Sequence, residues 1–425
     1  MIEEQWRYFA PEGDIAVGGP SKWYIIDWDQ RRNISVKMDE EQDEEDLAIK
    51  YLGKHIDTLG PEVVAIHVSQ DGELISTSSD PDDDKTTCVY HPPLEHLQPP
   101  VHVRTILRSE LREVDRTQVN VDLVSYTSSS TGAATKVIFK YYFIFQFMEK
   151  RLDEINLWMR LPPHPNIVPF DYIVLDEVRG NVVGFTSVYI PGGTLHETTR
   201  VFKLKWLERL IRVVDDLNLK YGIAHQDVAA RNLLVDDETD SLMIFDFNYS
   251  ARIGSGYSYA EDRNDVKGVI FTLYEIITLD GHFRAIRHEL QDPADVEGMG
   301  EWICHPGVKL SHPVSEYRSV LDQWVKTRRE GEQMTYFKKA PEYIDWPAIP
   351  EPPKTAHTYN RGTEHERTVT WSRKYTFRRE DRRDGNTVIN WGRPAQNKLR
   401  DGDVVLATGK LVRGISETEE VSLEV

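Results

Sequence analysis

The feature that most constrains this chain is the stretch Ala224-His225-Gln226-Asp227-Val228-Ala229-Ala230-Arg231-Asn232-Leu233-Leu234-Val235, with Leu242-Met243-Ile244-Phe245-Asp246-Phe247-Asn248 a few residues later. An Asp and an Asn stand five positions apart and run into an apolar, strand-like segment. A second apolar strand then ends in Asp-Phe. Asp227 has the chemistry to orient a hydroxyl and accept its proton. Asn232 and Asp246 are hard oxygen ligands of the type that holds Mg²⁺.

Bulk properties narrow the setting. With 425 residues the chain is too long for one ordinary domain and suits a two-lobed domain with extensions. At 40% hydrophobic and 28% charged residues it is globular rather than disordered. Its formal net charge of −19 argues against unaided binding to nucleic acid or to an anionic membrane, because both would repel it. Two cysteines, Cys88 and Cys304, make neither a disulfide scaffold nor a Cys-rich metal site. The opening Met1-Ile2-Glu3-Glu4-Gln5 lacks a basic-then-apolar leader. No apolar run reaches the roughly 18 residues of a membrane span. The best, Val137 to Phe147, is interrupted by Lys140. These features predict a soluble intracellular protein, cytoplasmic or nuclear.

Residues 1–98 form an N-terminal extension sharing no motif with the rest of the chain. Trp23 to Trp28 and Val63 to Val68 read as strands, and Asp71-Gly72 turns the second into a hairpin with Glu73 to Ser76. The acidic stretches Asp39 to Asp46 and Asp80 to Asp84 read as solvated loops. Pro92-Pro93 and Pro99-Pro100 mark a boundary. From Val101 strands are expected over 103–111, 119–126 and 135–147, with a Ser/Thr/Gly turn over 127–132. A helix comes next over 148–161, carrying Leu152, Ile155, Trp158 and Met159 on one face and stopped by Pro162-Pro163. His164 to Val168 leads into another strand, and Phe185 to Ile190 is a further one. Helices are expected over 199–220, 266–279 and 314–329. After about residue 340 the chain becomes Pro-rich, with short strands over 369–377 and 387–391. Arg373-Lys374 and Arg378-Arg379 give this tail a basic patch that suits wrapping the acidic body.

The order of elements and the motifs together resemble the eukaryotic protein-kinase-like superfamily, over about residues 101–335. Runs such as Phe139-Lys140-Tyr141-Tyr142-Phe143, Leu161-Pro162-Pro163-His164-Pro165-Asn166 and Phe245-Asp246-Phe247-Asn248-Tyr249-Ser250 are most similar to kinase-like proteins of filamentous fungi. The resemblance implies an α+β, bilobal fold. It consists of a kinase-like domain at 101–338 (β-rich N-lobe 101–186, hinge 187–195, helical C-lobe 196–338) with the N-terminal extension before it and a C-terminal tail over 339–425. It implies ATP and Mg²⁺ as cofactors. Lys140 would contact the α/β-phosphates, held by Glu154, with Glu149 and Asp153 as rival partners. Ile138, Ser187, Val188, Ile190 and Leu234 would surround the nucleotide, with Ser187 as gatekeeper and Val188 to Ile190 as hinge. Asp227 would serve the hydroxyl, Arg231 would neutralise charge on the transferring group, and Asn232 and Asp246 would bind metal. His225, Phe247 and Asp265 would be structural: His225 packs on Phe247, and Asp265 anchors the loop's backbone.

The chain also departs from the pattern. No Gly-x-Gly-x-x-Gly precedes Lys140; Arg112 to Thr117 stands in its place. Ile138 replaces a small residue. Gln226 replaces the Arg that normally pairs with a phosphorylated segment, and Asn248 replaces a Gly, where Asn tolerates left-handed geometry. Asp246 and Asp265 lie close together with no Ala-Pro-Glu between them, which removes the usual peptide dock. The expected function is Mg-ATP-dependent transfer of a γ-phosphate to a hydroxyl, the acceptor being either a protein or a small molecule. A pseudokinase scaffold is the alternative, and a small-molecule kinase a weaker one.

Overall fold

The computed structural model describes residues 2–128, 132–197, 199–256, 258–348, 351–360 and 362–412. Alternating apolar runs near the start build a five-stranded sheet of β1 (Tyr8–Ile15), β2 (Ser21–Asp27), β3 (Arg32–Met38), β4 (Ala65–Val68) and β5 (Leu74–Ser78), in that order. Only β3 and β4 pair in parallel. A parallel pair needs a crossover, and α1 (Asp46–His55) supplies it, burying Ala48 and Leu52 in one cluster with Ile34 and Val36. Asp46 sits in the first turn of α1, where a carboxylate complements the helix dipole.

A short strand β6 (Thr87–Val89) leads to a six-stranded sheet. Its strands are β7 (Arg104–Leu107), β8 (Arg112–Gln118), β9 (Val121–Thr127), β10 (Ala134–Tyr141), β11 (Phe170–Leu175) and β12 (Val182–Val188), arranged β7-β11-β12-β10-β9-β8. The strand expected over 103–111 stops at Leu107, and Arg112 to Thr117 is strand rather than loop. The sequence there lacks apolar alternation because its buried positions hold charges, Glu113 and Arg116, that are paired inside the protein. The turn facing the β10 lysine is therefore Val119-Asn120. Residues 129–131 of the expected Ser/Thr/Gly turn lie outside the described residues.

Side chains alternate across β10. Val137, Phe139 and Tyr141 enter a cluster with Ile26 and Trp28, whereas Lys140 takes the other face. The helical half comes after: α2 (Met148–Trp158), α3 (Leu204–Asp215), α4 (Asp265–Thr278) and α5 (Val314–Glu330), with the hairpin β13 (Leu233–Asp236) and β14 (Ser241–Ile244) between α3 and α4. The helix expected over 199–220 is shorter because Phe202 forms a bridge with Leu310 and Asp216–Lys220 widens into a π turn. A single large core joins α2 to α5 with β12, β13 and β14.

The tail folds back. It holds the hairpin β15 (Lys354–Tyr359) and β16 (Arg367–Ser372), then β17 (Tyr375–Phe377), α6 (Arg378–Arg383), and the pair β18 (Val404–Val405) and β19 (Leu411–Val412). β17 pairs antiparallel with β6. No strand forms over 387–391. Trp391 stacks on Tyr141 at 5.0 Å instead, so the segment is held by side chains on a sheet face rather than by a ladder. The reading of Asp80 to Asp84 as a solvated loop is corrected at Asp84, which is 1% exposed and accepts from Arg378 Nε at 2.6 Å. The architecture is mixed α+β, strand-rich first and helical later. Among the described residues no helix is long and apolar enough to cross a membrane.

Candidate active site

The β13–β14 hairpin positions the site. Leu233, Val235, Leu242 and Ile244 are buried on its inner face. Leu233 pairs with Ile244 at the hairpin's open end, so the next residue outward on each strand leaves at the same place. Asn232 and Phe245 are these residues, linked by Phe245 N donating to Asn232 O at 3.2 Å, and Asp246 comes directly after. Apolar alternation thus delivers a metal-type amide and a metal-type carboxylate to one edge.

The loop before β13 is fixed from below. Asp265, at the start of α4, accepts from His225 N and Asn218 Nδ2 on one oxygen and from Gln226 N on the other, each at 2.7 Å. His225 is fully buried, its Nε2 3.0 Å from Phe245 O and its ring 5.1 Å from Phe247. Phe247 in turn lies 5.2 Å from Trp158 of α2. Two non-glycine residues here adopt left-handed backbone: Gln226 at φ 62 and Asp246 at φ 64. Such geometry costs about 1 kcal/mol or more per residue and persists where the surroundings enforce it. Asn248 is not among the positive-φ residues. It sits in a 3₁₀ turn, and the left-handed position is Asp246 itself.

Lys140 Nζ donates to Glu154 Oε1 at 2.8 Å and also contacts Asp246 Oδ1. Glu154 is fully buried on α2. Its rival Asp153 accepts from Trp346 Nε1 at 3.0 Å, and the side chain of Glu149 lies outside the described residues. Asp227 accepts from Arg231, and its Oδ2 accepts from Asn232 Nδ2 at 2.8 Å. Asn248 Nδ2 donates to Asp246 Oδ2 at 3.2 Å. The five side chains Lys140, Glu154, Asp246, Asp227 and Arg231 comprise three carboxylates and two cations. The Asn232 side-chain carbonyl makes no hydrogen bond among the described residues. Carboxylates beside an amide oxygen are the donor set that suits a hard divalent cation.

The remaining expected residues occupy the strand ends. Ile138 pairs with Ser187 across β10 and β12, Val188 ends β12, and Ile190 packs against the main core. Leu234 forms a bridge with Thr194, just past Ile190. Gly184 is required for this close pairing, since a Cβ there would lie 2.3 Å from Lys140 O. Where glycines were expected, the Val119-Asn120 turn places Asn120 at φ 62, fully buried, its carbonyl accepting from Tyr141 N at 3.1 Å. That backbone group is committed to the sheet.

Gln226, marked in the sequence only by the arginine it replaces, has a structural role here, as do Asn218 and Arg284, which no sequence motif marks. Gln226 donates to Tyr249 O at 2.6 Å and Ser258 O at 2.7 Å and accepts from Ala260 N at 2.6 Å, tying down the segment after Asp246. Asn218 links Asp265 to Ile223 O at 2.8 Å. Arg284 bonds both Glu275, at 2.6 Å, and Val228 O of the loop, at 3.2 Å. Burial raises the pKa of Glu275 despite Arg284, and burial together with Arg263 and Lys267 lowers that of His288. Most of these partners are backbone atoms, which leave no trace in residue types.

No family model matches the chain. Among curated proteins it is 34% identical over 135 residues to CBL-interacting serine/threonine-protein kinase 16 of Arabidopsis thaliana, covering 29% of this chain and 28% of that protein. It is 29% identical over 136 residues to kinase 21 of the same series and organism, covering 31% and 32%, and 33% identical over 99 residues to kinase 2, covering 22% and 21%. The chain thus spans less than a third of the length of these relatives. The similarity supports a relation to the protein-kinase-like superfamily.

Proposed function

We propose that the chain is an Mg-ATP-dependent phosphotransferase of bilobal kinase-like fold. The observation that carries this reading is the convergence of Lys140, Glu154 and Asp246, set at the end of the same hairpin that presents Asn232 and Asp227. The kinase-like domain occupies 101–338 (lobes 101–186 and 196–338, hinge 187–195), preceded by the extension 1–98 and succeeded by the tail 339–425. Within the superfamily we place it nearest the fungal kinase-like proteins, as an intracellular enzyme.

In this reading Asp227 orients the acceptor hydroxyl and takes its proton, and Arg231 beside it offsets charge on the transferring group. Lys140, braced by Glu154, binds phosphate oxygens. Asn232 and Asp246 would hold Mg²⁺, which neutralises phosphate charge when bound. Ile138, Ser187, Val188, Ile190 and Leu234 flank the adenine. The Arg-to-Gln change at Gln226 removes dependence on a phosphorylated segment. The acceptor is a protein, as the names of the relatives suggest, or a small molecule, as the short segment between Asp246 and Asp265 suggests.

One observation favours the second reading, a pseudokinase scaffold. Asn120 is buried with its carbonyl bonded into the sheet, so the turn that replaces the glycine loop offers little backbone to phosphates. Thermal-shift titration separates the two readings. Stabilisation by Mg-ATP that grows as RT ln(1 + [L]/Kd) and disappears in Lys140→Met and Asp246→Asn supports nucleotide binding, and a flat response supports the scaffold.

A further inference from the structure

A cavity of about 800 Å³ has a wall that includes neither Lys140 nor Asp227. It sits where the start of β3, strand β6, strand β17 and the irregular tail segment 386–395 meet. Its size is that of sites for metabolite- or drug-sized molecules, about 300–1,000 Å³.

The charge of its wall inverts that of the chain. The protein has 70 acidic and 51 basic side chains, yet the wall holds seven Lys or Arg residues and only two carboxylates, Asp57 and Asp381. Four of the seven are neutralised: Arg31 and Arg393 by Asp122, Arg378 by Asp84, and Arg373 by Glu380. The other three, Arg32, Arg179 and Lys398, have no ion-pair partner among the described residues. Arg32 bonds only the Gln30 side chain and the carbonyls of Gly60 and Val63. Burial lowers the pKa of Arg32, as expected of a guanidinium desolvated without a counter-ion in contact.

Four wall residues carry a buried polar side-chain atom with no partner among the described residues: Arg31 Nη1, Asn33 Oδ1, His91 Nδ1 and Arg393 Nε. Arg31, His91 and Arg393 are each at least nine-tenths buried. Native proteins leave few such groups unsatisfied, because each costs about 1–3 kcal/mol. Arg31 Nη1 and Arg393 Nε can only donate, Asn33 Oδ1 only accepts and His91 Nδ1 takes either role, so the wall offers an occupant two obligate donors that anion oxygens would satisfy.

We propose that this cavity is a ligand site, separate from the transfer centre, for a small multivalent anion bearing phosphate or carboxylate groups. Arg179 and Lys398 provide exposed charge at its mouth, and Arg32 provides charge within. Because the tail contributes a large part of the wall, an occupant also fastens the tail to the N-terminal sheet.

The test is a thermal-shift titration of the full chain with inorganic pyrophosphate and, separately, with citrate, without ATP or Mg²⁺ and at matched ionic strength. Saturable stabilisation is expected. It should be weakened about fivefold or more by Arg179→Gln with Lys398→Gln and unchanged in Lys140→Met. Both substituted mouth residues are exposed, so the variant folds normally. A response to pyrophosphate alone identifies a phosphate-bearing ligand, and a response to citrate alone a carboxylate-bearing one. Response to neither probe overturns the proposal. So does stabilisation that is lost in Lys140→Met but kept in the mouth variant, since that would place the anion in the transfer centre.

Discussion

Two clusters of the same residue types behave differently in this molecule. In one, Arg31, Asp122, Arg393, Glu113, Arg116 and Asp29 form an alternating chain in which each side chain contacts the next. It joins the N-terminal sheet, the β8–β9 hairpin and the tail. It is charge-balanced, three against three, and nearly all of it is inaccessible to water. Burial alone would raise the pKa of Asp122, but Arg31, Arg393 and Arg116 hold it below its usual value. Burial would likewise lower Arg393, and Asp122, Tyr141 and Glu113 outweigh it. In the other cluster Lys140, Glu154, Asp246, Asp227 and Arg231 gather at a strand end, Asp246 and Arg231 are partly open to water, and Asp246 is held in left-handed backbone. A balanced, dry network specifies how parts of a chain meet. A strained cluster that is partly open to water leaves room for a cation and a substrate.

The comparison breaks most readily at Arg393. Arg393→Met leaves Asp122 and Glu113 short of a partner in the interior, and breaking a buried pair from one side costs about 3–5 kcal/mol. Urea denaturation should show that loss, while Mg-ATP affinity of the folded protein changes little. A loss under 1 kcal/mol would mean the network relaxes and does not hold the tail.

Next is pH. Burial pushes His91, in the cavity wall, down to about 4 from an ordinary 6.5. The unfolded chain therefore binds more protons than the native one between those values, and stability falls as pH drops from 6.5 toward 4, by about 3 kcal/mol in all. His91→Asn should remove that part of the slope. An unchanged slope would assign it to other groups.

Smaller and more local is Gln226→Ala. It strips two carbonyls and one N–H of the segment after Asp246 of their partner. Hydrogen exchange over residues 249–260 should accelerate severalfold, with global stability lowered by only about 1–3 kcal/mol. Uniform acceleration across the chain would argue that Gln226 supports the core instead. Smallest is Arg383→Ala. Its bridge to Asp82 is exposed at both ends, and such pairs contribute roughly 0–1 kcal/mol. A larger loss would show that the surface half of the tail contact matters as much as the buried half.

Much of the candidate site was legible from sequence because it rests on local patterns. Apolar alternation in Leu233 to Val235 and Leu242 to Ile244 gave the hairpin, and the hairpin puts Asn232 beside Phe245 and Asp246. The spacing of Leu152, Ile155 and Trp158 gave α2, and with it the place of Glu154. The cover over the outer face of the six-stranded sheet was not legible. Glu113 and Arg393 are 280 residues apart, and nothing in either neighbourhood names the other. Thr387 to Trp391 has strand composition, yet it is used for side-chain packing on Tyr141. Asp84 reads as one of a solvated acidic run until Arg378 is brought to it. Asn248 offered the residue type that tolerates left-handed backbone, but the strain fell on Asp246, as it does where tertiary contacts outweigh propensity.

If the Lys140–Asp246 cluster transfers phosphate, Asp227 serves the acceptor hydroxyl. The direct test is the steady-state rate of ATP turnover with Mg²⁺ by the purified full chain, compared with Asp227→Ala. Measurable turnover is expected of the wild type and a fall of about 10²–10⁴-fold in the variant, with Mg-ATP still stabilising both proteins. No turnover by the wild type, or equal turnover by the two, would contradict it.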